Sequence, residues 1–375
     1  MSRKITYISG TRADFGLMRA TLLALSAQSD LAVIVTGMNL SAAHGNTVTE
    51  IRDAGLRIAA EVSVPMEPAT GATMARNLGA MITAFVGALE AEAPDMVLLL
   101  GDRGEMLAGA IAAIHLNIPV AHIHGGERSG TVDEPVRHAI SKLAHIHLTA
   151  TEEARARLIR MGEDAHHVHT MGAPGLDGLA EGARPTQAQV ATHYGLDPAQ
   201  PLALLVFHPV LQEADGAVTQ IATILDALEA AGCAIIALLP NADAGSAGVR
   251  AHLLAAADAP HISVQTHLAR EDFVAAMAAA DLMIGNSSAG IIEAATFGTP
   301  VLNLGRRQNL RERNLNVVDV PEIDGALAAH ITAALAHGRF ASANVYGDGC
   351  TAARIAALLT HYDLSTPLLF KVNGY

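Results

Sequence analysis

Short apolar runs alternate with longer segments of helical periodicity along the first half of the chain. The Ala-rich segments at 104–116 and 133–143 predict helices. Buried strands are predicted at 4–9, 31–36, 96–100, 119–123 and 146–149. Strands that alternate with helices join through right-handed crossovers, so this pattern predicts a parallel sheet with helices on both faces.

The same alternation restarts after a stretch of turn and polar residues at 173–200. Strands of the second half are predicted at 202–207, 234–239, 261–264, 281–284 and 300–304. A chain of 375 residues is also long for a single core. We therefore predict an α/β fold of two doubly wound domains facing a cleft, residues 1–175 and 176–375, with the last helix packing back on the first domain.

Acidic and histidine side chains are concentrated after two strands of the first half. Loops that leave the carboxyl ends of parallel strands line the ligand crevice of such a sheet. We therefore expect one pocket to contain Asp102, His124, Glu127, Asp133 and Glu134. Such a set of titratable groups is suited to proton transfer.

The loop after the first strand carries Gly10 and Arg12 and leads into a helix. Gly10 allows a close approach to a ligand, and Arg12 can pair with phosphate. The loop lacks the GxGxxG fingerprint, so it does not support NAD binding. The alternative is an ordinary strand-to-helix turn with a solvated arginine.

Two loops of the second half are candidates for binding a phosphate. Small and hydroxyl residues before a helix predict an anion site at Asn286, Ser287, Ser288 and Gly290. Glu293, in the first turns, can bind ribose hydroxyls; alternatively, a serine only caps the helix and Glu293 complements its dipole. His208 follows a strand end and can donate to a departing phosphate, or it is a structural histidine before a proline turn.

Two His-Ile-His pairs, His122/His124 and His145/His147, have a spacing that occurs in metal centres. Each pair lies at a strand end, where one ring points at packing neighbours, and no third ligand follows at helical spacing. We therefore predict no catalytic metal, and structural or exposed roles for His145, His147, His166, His167 and His169.

Composition excludes several classes of partner. A formal net charge of −13 argues against nucleic acid, whose phosphate backbone needs a broad basic surface. The two cysteines predict neither a disulfide framework nor a Cys-based metal site. The N-terminus has no signal-peptide region and no apolar run reaches membrane-spanning length, so we expect a cytoplasmic protein without a membrane partner. The Ala-rich surface is compatible with a homodimer.

Seven motifs occur in order between Gly10 and Gln308. They are GTRADFG, VTGMNLSAAHGNTVTEI, GDRGE, HIHGGERSGTVDEPVRHAISKLAH, GAPGLD, FHP and IGNSSAGIIEAATFGTPVLNLGRRQ. Together they resemble the hydrolysing UDP-N-acetylglucosamine 2-epimerases of sialic-acid and legionaminic-acid biosynthesis. The resemblance implies two Rossmann-like domains of the glycosyltransferase-B type, UDP held by the second domain, a UDP-amino sugar substrate, and no cofactor.

The resemblance also implies roles for individual residues. Those implied for catalysis are Asp102, Asp133, Glu134 and, facing the diphosphate, His208. Those implied for binding are Arg12 at the diphosphate or sugar, Ser287, Ser288 and Gly290 in a phosphate loop, Glu293 at the ribose and Arg307 near the nucleotide. Two positions depart from the family pattern: His124 stands where members such as the mammalian enzyme have Glu, and Asn39 where the family often has His.

The chemistry of such an enzyme requires proton transfer on two faces of the sugar. Anti elimination of UDP gives a glycal, which is then protonated at C2 from the opposite face while water adds at C1. Asp102 and the His124/Asp133 set, on two loops, can supply these groups. We expect His124 to titrate near neutrality, where an unperturbed histidine has a pKa of about 6.5.

Several alternatives remain open at the level of sequence. The substrate is UDP-N-acetylglucosamine, giving N-acetylmannosamine, or UDP-2,4-diacetamido-2,4,6-trideoxyglucose, the precursor for legionaminic acid. A glycosyltransferase-B-type transferase would share the two domains and the diphosphate loop. A metal-dependent hydrolase would lose activity to chelators, and a two-lobed binding protein would bind the UDP-sugar without turnover.

Overall fold

The computed structural model describes residues 2–181 and 184–374. Its first sheet has seven parallel strands in the order β3-β2-β1-β4-β5-β6-β7. These strands are β1 Lys4–Ser9, β2 Asp30–Thr36, β3 Arg57–Val62, β4 Met96–Leu100, β5 Val120–Ile123, β6 Ile146–Thr149 and β7 Val168–Thr170. The sheet and the helices that cover it are called the first domain below.

The second sheet has six parallel strands in the order β10-β9-β8-β11-β12-β13, and with its helices it forms the second domain. These strands are β8 Leu202–Val206, β9 Ala234–Leu238, β10 Ile262–Gln265, β11 Leu282–Gly285, β12 Val301–Leu304 and β13 Val317–Val320. Two parallel α/β domains are what the apolar pattern predicts.

Helices cover both faces of both sheets, as crossovers between parallel strands require. They are α1 Arg12–Ser26, α2 Val48–Asp53, α3 Gly71–Glu92, α4 Gly104–His115, α5 Asp133–Leu143, α6 Glu152–Arg160, α7 Gln187–His193, α8 Ala217–Ala230, α9 Ser246–Ala256, α10 Arg270–Ala279, α11 Ser288–Ile292, α12 Leu327–His337 and α13 Thr351–His361. Short 3₁₀ turns lie at Gly37–Leu40, Ala42–His44, Ala165–His167, Pro174–Leu176, Leu211–Gly216, Ala294–Phe297 and Thr366–Leu369.

Helix α13 follows the second sheet in sequence but packs in the first domain. Its Ile355, Ala356 and Leu359 are fully buried in one core with β1, β2 and α1. Asp177 accepts the Thr351 backbone N–H at 2.8 Å and so caps the helix. The chain therefore returns from the second domain, and its last helix packs in the first domain.

Helix α3 is long and apolar enough, by length and composition, to cross a membrane. The expectation that no apolar run reaches that length is therefore wrong. In the fold, Met81, Phe85 and Leu89 lie one turn apart and pack into the first-domain core, which accounts for one apolar face. A single helix of this kind is weak evidence for a membrane segment.

Candidate active site

Loops at the carboxyl ends of the two sheets meet in the cleft between the domains. Arginine side chains reach oxygens of the opposite domain, among them Arg12 to Asn241 at 3.0 Å, Arg103 to Asp243 at 2.8 Å, and Arg307 to Asp133 at 3.2 Å. The candidate residues of the two halves therefore lie at one interface, where the geometry of parallel sheets places ligands.

Arg12 is 7% exposed and lies at the start of α1. Its guanidinium donates to the Leu239 carbonyl at 2.8 Å, to Asn241, and to the Thr266 carbonyl. The preceding loop is fixed because Asp14 accepts the backbone N–H groups of residues 10 and 11 and the Ser9 hydroxyl. The alternative of a solvated arginine is therefore wrong: Arg12 bridges the domains and lines a cavity between them.

His208 is held by Asn286 from the neighbouring strand end. The Asn286 side chain accepts the His208 backbone N–H at 2.8 Å and donates to the His208 carbonyl at 2.7 Å. The Asn241 backbone N–H donates to His208 Nδ1 at 3.3 Å, so the ring hydrogen lies on Nε2. Burial, with the nearby charge of Arg307, lowers the pKa of His208 to about 3. Asn286, predicted to bind substrate, has both polar ends bonded to His208 and fits a positioning role.

The serine loop begins a helix of only five residues, α11. Ser287 caps it by accepting the Ala289 backbone N–H at 3.3 Å. Ser287 and Ser288 line the same cavity as Arg12 and His208. Gly290 is buried, and a Cβ there would lie 3.0 Å from Val301 Cγ1, so its absent side chain serves packing against β12.

Glu293 lies at the C-terminal end of α11, not in its first turn, because the helix ends at Ile292. It therefore cannot complement the positive end of the helix dipole, and that alternative is wrong. Its carboxylate pairs with Arg270 at 2.5 Å and lines the cavity with Arg12. Burial raises the pKa of Glu293, and the charge of Arg270 opposes this.

Asp102 and Asp133 are close enough to influence each other, yet their environments push their pKa values apart. Burial acts to raise the pKa of Asp102, but its ion pair with Arg137 and the Arg311 charge at 3.6 Å hold it well below its usual range. Burial raises the pKa of Asp133 even though Arg307 opposes it, and the Asp102 charge adds to the rise. Asp102 therefore stays ionised while Asp133 is the more basic carboxylate.

His124 and Glu127 form a buried pair. His124 Nδ1 donates to Glu127 Oε1, and Arg311 makes an ion pair with the other carboxylate oxygen. His124 also has a left-handed backbone, φ 64°, which is uncommon for residues other than glycine and is often found at functional sites. Burial, with the Arg311 charge, lowers the pKa of His124 to about 3, so the expectation of titration near neutrality is wrong.

The structure does not bring Glu134 to the same place. Its carboxylate accepts the Ser129 backbone N–H and lies 3.4 Å from the His138 ring. These contacts brace the loop before α5. His122, the other ring of its pair, donates to the Gly101 carbonyl at 2.6 Å and accepts from Ser141 at 3.0 Å, which is a structural role.

Two cavities lie along the cleft. One of about 120 Å³ is lined by Arg12, His208, Ser287, Ser288 and Glu293. The other, of about 230 Å³, is lined at one end by Asp102, Arg103, Asp133 and Asp243. In the part of the chain that the structure describes, no three His, Cys, Asp or Glu side chains are arranged to hold a metal ion.

Sequence reasoning missed four charged residues of the site: Arg103 as a bridge, Arg137, Asp243 and Arg311. Arg103 was visible in the Asp-Arg pair after β4. Arg137 lies four residues after Asp133, one helical turn along α5, where it can reach the same end of the sheet. Asp243 and Arg311 have no signal in the sequence, because only domain closure brings them to Arg103 and Glu127.

Comparison with known proteins shows the family to which the chain belongs. The family model "UDP-N-acetylglucosamine 2-epimerase" matches residues 23–360. A Legionella pneumophila protein named UDP-N,N'-diacetylbacillosamine 2-epimerase (hydrolyzing) is 47% identical and covers 100% of both chains. A Neisseria meningitidis UDP-N-acetylglucosamine 2-epimerase is 37% identical over 93% of this chain and 92% of its own.

Solved structures share the fold. The Methanocaldococcus jannaschii UDP-GlcNAc 2-epimerase in complex with UDP-GlcNAc and UDP aligns with a TM-score of 0.78 at 20% identity, covering 96% of this chain and 99% of the other. The resemblance carried by the seven motifs is thus confirmed. The chain belongs to the UDP-N-acetylglucosamine 2-epimerase family, as an enzyme of the hydrolysing type.

Proposed function

We propose that this enzyme converts a UDP-2-acetamido sugar of gluco configuration into UDP and the free manno-configured sugar. The carrying observation is the split between Asp102 and Asp133, two neighbouring carboxylates with opposite pKa shifts beside an anion-suited cavity. Two carboxyl groups whose pKa values are pushed apart in this way can divide the roles of base and charge stabiliser between them. Both steps are redox-neutral, so the chemistry needs no redox cofactor.

The groups that line the smaller cavity are of the kinds that bind a nucleoside diphosphate. Arg12 supplies a fixed positive charge, and the neutral His208 ring presents Nε2–H to a phosphate oxygen. Ser287 and Ser288 add hydroxyls at the same wall, and Glu293 offers a carboxylate to the ribose hydroxyls. A neutral donor and a buried arginine stabilise the departing diphosphate as its negative charge grows.

In the first step, Asp133 takes the C2 proton while the C1–O bond to UDP breaks and the C1–C2 double bond forms. Asp102 stays ionised and stabilises the positive charge that grows at C1. Arg307 contacts Asp133 and the Asn286 carbonyl, so it lies between the base and the diphosphate end. This role for Asp133 follows from its higher basicity.

In the second step, a proton adds to C2 from the opposite face and water adds at C1. The His124–Glu127 pair, on the loop after β5, is the second proton-transfer group. Glu127 accepts the Nδ1 hydrogen, so Nε2 of the neutral ring carries no hydrogen and can accept one. In this step Nε2 takes a proton from the water whose hydroxide adds at C1 and passes it to C2, and Asp133 returns the proton from the first step to solvent. Glu134 braces the loop and takes no chemical role.

Release of UDP without any acceptor tests this function against sugar transfer. The enzyme is incubated with UDP-N-acetylglucosamine, the sugar in the name of the Neisseria relative. In a separate reaction it is incubated with UDP-2,4-diacetamido-2,4,6-trideoxyglucose, which is the UDP-N,N'-diacetylbacillosamine in the name of the Legionella relative. We expect equal amounts of UDP and free manno-configured sugar from at least one of them. UDP formation that requires an added acceptor would favour the transferase.

We further propose that the enzyme is a cytoplasmic homodimer with α3 at the contact between subunits. The outer face of α3 carries the exposed small residues Ala75, Gly79, Thr83 and Gly87, and open space surrounds both glycines. Met81, Phe85 and Leu89 on the opposite face of α3 pack in the first-domain core, so α3 is not free to cross a membrane. The small residues on the outer face allow the close approach of a second helix. Gly79→Glu should halve the mass measured by light scattering; an unchanged mass would place the contact elsewhere.

A further inference from the structure

One loop of the second domain, residues 305–314 after β12, lies against loops of the first domain. Near its start, the Arg307 carbonyl accepts the Gly130 backbone N–H at 3.2 Å. Near its end, the Glu312 carboxylate accepts the Thr151 hydroxyl. The loop is therefore held against the first domain on both sides of its middle.

Arg311 lies between these two contacts, and its side chain is 7% exposed. Its Nε donates to the Gln308 side chain at 2.5 Å, within the same loop. Nη1 makes an ion pair with Glu127, and Nη2 lies 3.6 Å from Asp102 Oδ2. One buried cation of the second domain thus faces carboxylates on two loops of the first domain.

The two carboxylates depend on Arg311 unequally. Asp102 has a closer cation, because Arg137 of the first domain makes an ion pair with it. Within residues 2–181 and 184–374, the ionic partners of the Glu127 carboxylate are Arg311 and the His124 ring. Without Arg311, Glu127 would be a buried carboxylate beside a neutral ring, and such a group neutralises itself by binding a proton.

This difference separates the two steps of the reaction. In the second step His124 Nε2 accepts a proton, which requires that an ionised Glu127 holds the ring hydrogen on Nδ1. The charge of Arg311 also adds to burial in lowering the pKa of His124. The first step uses Asp133, which is paired with a different arginine, Arg307.

We infer that Arg311 is a positioning residue for the second step, in which it holds Glu127 ionised so that His124 can pass a proton from water to C2 of the glycal. This inference rests on the proposed function. The step adds water across the double bond: hydroxide bonds to C1 and the proton to C2. Because Arg311 belongs to the second domain, this proton-transfer group is complete only while the domains are in contact.

The test follows a single turnover of each UDP-sugar, with enzyme in excess, by wild type and Arg311→Gln. Samples are quenched at intervals, and UDP, glycal and free sugar are measured by mass spectrometry, so bound glycal is counted. In the variant the rate constant for sugar formation should fall about tenfold or more, part of what a general acid–base group contributes. UDP should still form close to the wild-type rate, with glycal making up the difference.

Two further variants serve as control and rescue. Arg306→Gln removes an arginine of the same loop whose side chain is 64% exposed, and it should form UDP and free sugar as wild type does. Arg311→Lys keeps a positive charge beside Glu127 but not the planar fork of the guanidinium. It should retain more of the sugar-forming rate than Arg311→Gln.

Glu127→Gln removes the group through which Arg311 acts. It should slow sugar formation in the same way, and Arg311→Gln added to it should cause little further loss, because the effects of coupled residues do not add. Thermal melting checks that each variant folds. The double variant removes both buried charges, so it serves for the single-turnover test if Arg311→Gln does not fold.

Three results would overturn the inference and leave the proposed function intact. They are equal slowing of UDP and sugar formation in a folded Arg311→Gln, no slowing of either, and losses that multiply in the double variant. Release of no UDP by wild type from either sugar would instead contradict the proposed function.

Discussion

Arg307 of the second domain and Asp133 of the first form an ion pair across the cleft, with 3.2 Å between Nη2 and Oδ2. Arg307 also donates to the Asn286 carbonyl at 3.0 Å, beside the loop that holds His208. The group that binds the leaving UDP is thereby joined to the group proposed as base. If the bound diphosphate draws Arg307 away, Asp133 loses this positive neighbour and becomes more basic. This happens when Asp133 has to accept the C2 proton.

Replacing Asp133 with Asn should abolish proton abstraction and keep nucleotide binding. We expect kcat to fall about 100-fold or more, the usual scale for a general base, and UDP affinity measured by calorimetry to change little. Asp226→Asn, at an exposed position of α8, is the control. Near-normal turnover of Asp133→Asn in a folded protein would remove the assignment.

The pH dependence of kcat follows from the same carboxylate. The base must be ionised to act, and burial raises the pKa of Asp133. Activity should therefore fall on the acidic side at a higher pH than an ordinary aspartate would give, with no limb from His124, whose pKa lies at about 3. If the plot of kcat against pH shows a change near neutral pH that is lost in His124→Gln, then His124 titrates near neutrality during turnover, as the sequence predicts.

Two substitutions of His208 distinguish which ring nitrogen contacts the ligand. The amide nitrogen of Gln lies near the position of Nε2, and that of Asn near Nδ1. Because Nδ1 accepts from Asn241, we expect His208→Gln to retain about tenfold more activity than His208→Asn. The reverse order, with equal thermal stability of the two variants, would show that Nδ1 faces the substrate.

Stability should fall in acid because three buried histidines resist protonation. Burial lowers the pKa values of His122, His124 and His208 to about 3 each, against about 6.5 in an unfolded chain. Between these values the unfolded state binds more protons, so the free energy of unfolding drops as pH falls from about 6.5. Burial raises the pKa of Asp14 to about 6 and also raises the pKa values of Glu105, Asp133 and Glu293, and these carboxyl groups act in the opposite direction. We expect the three histidines to outweigh them, because each histidine pKa lies further from its ordinary value than that of Asp14 does.

Urea unfolding at pH 7.5 and pH 5.5 measures this effect. We expect a lower urea midpoint at pH 5.5, with an unchanged slope of free energy against urea. A midpoint that is equal or higher at pH 5.5 would mean that these rings are protonated in the folded state.

The interior strands were predictable because their side chains are buried on both faces, which leaves continuous apolar runs such as 96–100. Strands β3, β7 and β13 were not predicted, because each lies at a sheet edge and is short or half-polar. The position of α13 was expected only in outline, since nothing local specifies that Ile355 and Leu359 pack against α1.

The site was predictable where residues follow strand ends, as Asp102, His124 and His208 do. Its electrostatics were not, because the pKa of His124 depends on Arg311, which comes from the other domain. For Asn286 and Glu134 the sequence predicts binding and catalytic roles, whereas in the structure their side chains bond to neighbouring residues and hold the loops in place. These contacts arise only when the two domains close.

Turnover in D2O tests the elimination and hydration sequence most directly. The abstracted C2 proton exchanges with solvent before the opposite face of the glycal is protonated. The account therefore predicts free manno-configured sugar that carries one deuterium at C2, released with an equal amount of UDP. Product without deuterium at C2, or with retained gluco configuration, would contradict the mechanism and the roles of Asp133, Asp102 and His124 together.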